Sequence, residues 1–315
     1  MKKNVLYILS MVALLSACSK DKNTGGSGHG TSILGPGAIY YDWAGEGILK
    51  FDLSTGVVST AQQRSTDRNG WDISLDGAKY LQAADKDGDF YDTEVYTLTN
   101  LSDGTVITSF DKQSGYANHT SPILSHDAKL IAVPPTFDDG LMILDLKGNI
   151  LHHIAGFQNQ EIDRSNVNWM PDNTAIFSIG KKICRTNAAF TQASIVKELN
   201  FAEWTDLAVS PDGSKMAFAA NNHIWMMNSD GSNLVQVTTS DVVEVLPEFS
   251  PDGKWLVLGT DYRTTGVFGH TWLLVVIPAD GKLYNVNEGA DEKVIPLVRK
   301  GKDKPEAASG YLCWR

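Results

Sequence analysis

The sequence predicts an all-β fold: a six-bladed β-propeller of four-stranded antiparallel blades, its ring closed by the C-terminal strand pairing into the first blade. Three observations carry this expectation. Residues 204–259 hold four short apolar runs separated by Asp-Gly and Asn-rich turns, and the Ser-Pro-Asp-Gly of residues 210–213 returns 40 positions later at 250–253. A period of about 40 to 45 residues with four strands per unit is the mark of a propeller blade, a unit that cannot bury both faces without neighbours. Turn signals of the same kind recur along the chain from residue 33, and residues 310–315 read as a strand with no turn after it.

Taken in order, the first unit offers three strands, Ala38-Ile39-Tyr40-Tyr41, Ile48-Leu49-Lys50-Phe51 and Val57-Val58-Ser59, and no first strand of its own. The hairpin joining the last two strands of a unit, a β-rich run ending in a Gly turn, falls at residues 51–56, 100–104, 145–149, 228–231 and 278–281. Residues 182–187 followed by 194–197 supply a degenerate sixth without Gly. The first strands of units two to six run into turns at Asp76, Asp127, Asp172, Asp212 and Asp252; the last three are 40 apart, and a longer loop stretches the first interval to 51. In such turns Pro fixes φ, Asp bonds back to the local backbone and Gly accepts positive φ. Trp314 aligns with Ile73, Leu124, Trp169, Val209 and Phe249, so residues 310–315 supply the first blade's missing strand. Closure removes the edges that an open array would have to cap. Trp71, Trp169, Trp204, Trp225, Trp255, Trp272 and Trp314 lie in or beside strands and are expected in the layers between sheets.

The segment Ile224-Trp225-Met226-Met227-Asn228-Ser229-Asp230-Gly231-Ser232-Asn233, continued by residues 234–238 and flanked by two Ser-Pro-Asp-Gly turns, resembles the repeat of TolB-like, WD-like six-bladed propellers. The resemblance is sharp over about 60 residues and diffuse over the rest from residue 33 onward. TolB carries an α/β domain ahead of its propeller, where only a short tether is expected here. TolB's partner, the peptidoglycan-associated lipoprotein, is therefore not carried over.

Ahead of the propeller, Lys2 and Lys3 precede an apolar run over residues 5–15, too short to span a bilayer and suited to a secretion signal. Leu15-Ser16-Ala17-Cys18 then matches the lipobox of bacterial lipoproteins. The resemblance implies a signal peptide over residues 1–17 and a mature chain lipidated at Cys18, with several acyl chains giving stable anchoring. Ser19 stands where an Asp would favour retention at the inner membrane, so an outer-membrane lipoprotein, periplasmic or surface-exposed, is expected. Residues 18–32, Gly- and Ser-rich, read as a flexible tether, and residues 33–315 as the propeller.

A net charge of −10 gives no basic field to attract phosphate backbones, which argues against nucleic acid as a partner. A monomer touching the membrane through its lipid alone is expected. Cys184 and Cys313 belong to distant blades and are expected as unpaired buried hydrophobes. Asp85, Asp87 and Asp89, followed by Tyr91, Asp92 and Glu94, put carboxylates at alternate positions in a loop, as calcium prefers. Phe90 and Tyr96 replace the Gly and bidentate Glu of an EF-hand, so a solvated loop without any cofactor competes with the calcium reading. His152 and His153 are adjacent and point to opposite faces of a strand, and no zinc-type spacing occurs.

No Gly-x-Ser-x-Gly elbow or phosphate-cradling loop is present. Polar candidates at the channel mouth are Asp72, Asn168 and Glu248, which share one alignment position, and His119, which with His126 flanks the first strand of blade three. They read either as a ligand site or as buried hydrogen-bonding groups between blades. Departures from the regular blade occur at residues 85–94, 262–270 and 291–309. The expected function is a lipid-anchored cell-envelope scaffold that binds a protein or glycan without catalysis. The alternative is a polysaccharide lyase or hydrolase with a channel-mouth active site, which requires carboxylates, His or Arg converging on one point.

Overall fold

A computed structural model describes residues 34–35, 37–86, 93–113, 121–135, 140–162, 165–266 and 269–315. Cys18, His119, Asp87 and Asp89 lie outside the described residues. Blade one orders its strands as Leu312–Trp314, Ala38–Trp43, Gly47–Asp52 and Val58–Gln63. Blade two runs through Arg68–Ile73, Lys79–Asp85, Thr93–Asn100 and Val106–Gln113, and blade three through Ile123–Leu124, Leu130–Val133, Leu141–Asp145 and Ile150–Ile154. Blade four comprises Val167–Trp169, Ala175–Ile179, Lys182–Thr186 and Ala193–Glu198, so the Gly-free hairpin forms as expected. Blade five comprises Trp204–Val209, Lys215–Ala220, His223–Asn228 and Val235–Gln236.

The core is a set of layers between neighbouring sheets. Ile39, Tyr41 and Phe51 of blade one meet Val257, Leu274 and Val276 of blade six. Tyr40 and Ile48 of blade one meet Trp71 and Tyr80 of blade two. Equivalent layers join blades two and three through Leu81 and Ile131, three and four through Ile143 and Phe177, four and five through Ile176 and Phe218, and five and six through Ile224 and Leu256. Every blade is thus covered on both faces, which is what lets alternate apolar residues of a twisted sheet leave water.

The C-terminal strand closes the ring as expected, in a register that sets Ile39 opposite Trp314, Tyr40 opposite Cys313 and Tyr41 opposite Leu312. The Ala38 N–H donates to the Arg315 carbonyl at 2.6 Å, and the Arg315 N–H returns to the Ala38 carbonyl at 2.9 Å. Gly37 enters this pairing at φ 120°, and a Cβ there would lie 2.8 Å from the Arg315 carbonyl oxygen, so only Gly admits the approach. Cys184 and Cys313 are both buried and free.

The recurring turns behave as their residues require. The hydroxyls of Ser74, Ser125, Ser210 and Ser250 donate to Asp76, Asp127, Asp212 and Asp252 at 2.5 to 2.8 Å. The left-handed position is Gly77, Gly213 and Gly253 in blades two, five and six, but Asn173 in blade four and Ala128, at φ 51°, in blade three.

Blade six departs from expectation. The run after Gly281 does not return as its fourth strand. Tyr284–Asn285 instead pairs in parallel with Thr238–Thr239 of the blade-five connection. The fourth strand of blade five is only two residues long, Val235–Gln236, which leaves the following backbone free for this pairing: the Tyr284 N–H bonds the Val237 carbonyl and the Val286 N–H that of Thr239. The inner three strands of blade six are Val245–Phe249, Trp255–Thr265 and Gly269–Pro278. Its outer edge comes from the tail, as Ile295–Pro296 against Val275 and Val276 and Ala307–Ala308 against Trp272 and Leu273. Within that tail Arg299 forks onto Glu306 at 2.9 and 3.0 Å, and Glu306 accepts the Tyr41 hydroxyl of blade one at 2.6 Å. Residues 291–309 therefore complete one blade and tie it to the next.

Candidate functional site

The first strands of all six blades converge on a central cavity of about 420 Å³. Blade one contributes Tyr311 and Arg315, and the other five contribute Asp72, Ile123, Asn168, Asp206 and Glu248. Arg315 follows directly on Trp314, and the alternation of the closing strand that buries Trp314 in a layer turns Arg315 to the channel. Its guanidinium bridges two carboxylates, Glu248 Oε1 at 2.9 Å and Asp72 Oδ1 at 3.3 Å, and also donates to the Ile73 carbonyl at 2.7 Å. Asp72 Oδ1 further accepts the Ile73 N–H at 2.8 Å and the Tyr311 hydroxyl at 3.4 Å, while Oδ2 accepts the Leu124 N–H of blade three at 2.8 Å. Both Asp72 oxygens are thereby in use.

Burial pushes the Asp72 and Glu248 carboxyls above their ordinary values, and the charge of Arg315 opposes the rise in both. The Tyr311 phenol is driven well up by burial and then by Asp72. His126 also lines the cavity; burial, followed by the Arg315 charge, lowers its pKa, so it is neutral at pH 7. Two carboxylates face one guanidinium, and the cluster prefers to keep a proton or gain a cation.

A second pattern runs around the channel: a polar side chain of one inner strand holds the backbone of the next blade. Asn168 accepts the Trp169 N–H at 2.7 Å and donates to the Leu207 carbonyl of blade five at 3.1 Å. Asn166 accepts the Asp206 N–H at 2.9 Å, and Asp206 in turn accepts the Leu246 N–H of blade six at 3.0 Å. Asp206 and Leu246 take positive φ, 61° and 51°, at bulges where the inner strands of blades five and six shift register. A left-handed Leu is costly, and the bulge aims the Asp206 carboxylate across the blade boundary.

On the face carrying the second-to-third-strand turns lies a wider depression of about 900 Å³ over blades four to six. Its lining includes Trp204, Glu203, Lys181 and the pair Asn221 and Asn222. Both Asn residues have positive φ, 51° and 70°, as a type I′ hairpin turn demands. Trp204 is half-buried, its indole N–H fixed to the Gly180 carbonyl at 3.1 Å.

No family model matches the chain, and no curated protein matches it by sequence. Solved structures do resemble it. TolB from Acinetobacter baumannii aligns with a TM-score of 0.60 at 18% identity, covering 88% of this chain and 66% of that one. The putative TolB from Agrobacterium tumefaciens aligns at 0.53 and 16% identity over 78% of this chain and 86% of its own. A chain of the nidogen/laminin complex aligns at 0.55 and 11% identity over 77% and 89%. The fold is a TolB-like six-bladed propeller. This chain spans 66% of the length of the Acinetobacter protein, and the likeness is one of fold.

Within this TolB-like ring the sequence-derived candidates separate. Asp72 and Glu248 meet through Arg315, whereas Asn168 serves the boundary between blades four and five. Asp85 is a strand residue, 8% exposed, that accepts the Asn69 amide at 2.6 Å; Asn69 also reaches Glu94 at 3.2 Å. Sequence reasoning missed Arg315 and Tyr311. The signal was present: they stand four residues apart on one side of the closing strand, opposite Trp314, which is buried in the layer between blades one and six.

Proposed function

We propose that the protein is a lipid-anchored TolB-like propeller of the bacterial cell envelope that binds a protein or glycan partner on its turn-bearing face and does no chemistry in its channel. One observation carries the reading: Asp72, Asn168 and Asp206 hold the backbones of neighbouring blades, so the polar groups at the channel are structural members of the ring. The broad depression supports it, since an indole and paired Asn side chains suit stacking on and hydrogen bonding to a glycan or a polar peptide. The envelope location rests on the lipobox at Cys18 and on the fold shared with TolB. The experiment is capture of partners from envelope fractions by wild type and by Trp204→Ala with Asn222→Ala. Loss of one specific partner in the double variant, while that variant remains folded at the capture temperature, supports the reading; capture unaffected by the change refutes it.

A second reading has an observation of its own. Glu248, raised by burial, stands beside Arg315, Asp72 and Tyr311, the convergence that a channel-mouth lyase or hydrolase on polysaccharide requires. Only the Oε1 atom of Glu248 is held by Arg315, and Glu248 is the group of this cluster suited to proton transfer. Turnover of an acidic polysaccharide by wild type and its loss in Glu248→Gln would establish this reading in place of the first.

A further inference from the structure

The channel cavity of about 420 Å³ carries an unbalanced charge. Its charged lining among the described residues is Asp72, Asp206, Glu248 and Arg315, with His126 held neutral. Three carboxylates and one guanidinium leave a surplus of two negative charges when all are ionised, in a place where water screens little. The three are not equally occupied. Asp72 is fully engaged, since Arg315, the Tyr311 hydroxyl and two backbone N–H groups use both of its oxygens. Glu248 gives only Oε1 to Arg315; its Oε2 accepts no hydrogen bond among the described residues and stays open to the cavity, with 19% of the side chain exposed. Asp206 holds the Leu246 N–H with Oδ2, and its Oδ1 meets only the Thr205 hydroxyl, at 3.1 Å. A carboxylate oxygen accepts more than one hydrogen bond, so both residues keep acceptor capacity.

The two open acceptors stand on adjacent blades at a set span. Leu246, whose N–H holds the Asp206 carboxylate, precedes Glu248 by two residues, a rise of about 7 Å along a strand. Aliphatic surface from Val167, Leu207 and Leu246 lines the same cavity. Among the described residues no three His, Cys, Asp or Glu side chains are placed to hold a metal ion. Two separated negative charges beside aliphatic walls select an organic dication, with two ammonium ends and a methylene chain between them. The size of the cavity lies within the range of small-molecule pockets.

We propose that the channel cavity is a binding site for a short linear diamine, one ammonium donating to Glu248 Oε2, the other to the Asp206 carboxylate, and the methylenes lying against the aliphatic wall. Binding here neither requires nor excludes a partner on the turn-bearing face, and it survives the failure of that reading.

Titration calorimetry on the full chain at pH 7.5 and low salt separates the requirements. Putrescine or cadaverine, whose ammoniums match the span, is expected to bind saturably and to raise the melting temperature. Butylamine, with one ammonium, and ethylenediamine, with two set too close, are each expected to bind about tenfold more weakly. Diamine binding is expected to tighten from pH 5.5 to 8, because burial raises the Glu248 and Asp206 carboxyls and a protonated carboxyl offers no charge. Glu248→Gln keeps an oxygen for Arg315 and is expected to bring putrescine down to the affinity of butylamine. Asp206→Asn keeps an acceptor for the Leu246 N–H and is expected to do the same. No saturable binding of either long diamine to about 10 mM, butylamine binding as tightly as putrescine to the wild type, or putrescine binding undiminished in Glu248→Gln each overturns the proposal, and the first two need no variant.

Discussion

Replacing Arg315 by Met keeps the length of the side chain and removes the charge between Asp72 and Glu248. The guanidinium is 11% exposed, and its partners are 3% and 19% exposed, so all three groups lie where water screens little. Removing one partner from a buried ionic cluster costs about 3–5 kcal/mol, because the remaining charge keeps its desolvation penalty. At about 2–4 °C per kcal/mol for a chain of this size, the melting temperature should fall by on the order of 10 °C at pH 7.5. The pH dependence gives the sharper test. Burial already raises both carboxyls above their ordinary 3.8 and 4.5, and without Arg315 they rise further. A carboxyl whose folded pKa lies above its unfolded value favours the folded state when protonated; that stability is present at acid pH and lost as pH climbs through the folded pKa. The deficit of Arg315→Met relative to wild type should therefore be largest at neutral pH and shrink as pH falls toward 4.5. Urea denaturation from pH 4.5 to 8 measures it. Adding Asp72→Asn and Glu248→Gln to the variant should return much of the loss at neutral pH. A deficit that grows on acidification, or none at pH 7.5, would refute the account of the cluster as two carboxylates balanced by one cation.

Ala128→Gly should raise stability by about 0.5–1 kcal/mol, since Ala holds φ 51° where the equivalent turns use Gly; a lower midpoint in urea would show that the buried methyl outweighs the backbone strain. Trp314→Ala should cost about 3–5 kcal/mol and speed hydrogen exchange first in Ala38–Trp43, the strand it pairs with. Cys18→Ala should move the protein from the membrane to the soluble fraction and end incorporation of labelled fatty acid; unchanged partition would remove the lipid anchor. Millimolar calcium should leave the melting temperature unchanged, because Asp85 is already engaged by Asn69, whereas a rise of several degrees that Asp87→Asn abolishes would establish a calcium site at Asp85, Asp87 and Asp89.

The ring was legible because its devices are local. A Pro-Asp-Gly turn needs four neighbouring residues, and the spacing of Asp172, Asp212 and Asp252 carries the blade length without any long-range information. Closure was legible by subtraction, since unit one lacked a strand and residues 310–315 lacked a partner. The outer edge of blade six was not: Gly281 promises a hairpin as good as that of Gly231, and only the shortness of Val235–Gln236 in the neighbouring blade decides that Tyr284–Asn285 pairs elsewhere. The channel cluster was half legible. One alignment position picked out Asp72 and Glu248, but their meeting depends on Arg315, which the chain places between them only when its far end comes home. The bulge at Asp206 left no such mark, because Thr-Asp-Leu reads as strand, whereas the one at Leu246 had a signal in Pro247, a residue that sheets admit at bulges.

The pairing of Ile39 with Trp314 also sets an order of events. A chain made from its N-terminus has Ala38–Trp43 ready well before Leu312–Trp314, which lies some 270 residues further on. Blades two to five can form from contacts within one or two hairpins; the joint cannot, and contacts of such sequence separation are slow to form. Until then Ala38–Trp43 presents a row of unpaired backbone groups, the kind of edge to which another strand adds. The same three-residue strand that finishes the ring thus also covers this edge, and any state in which it is unpaired exposes the first blade to another strand.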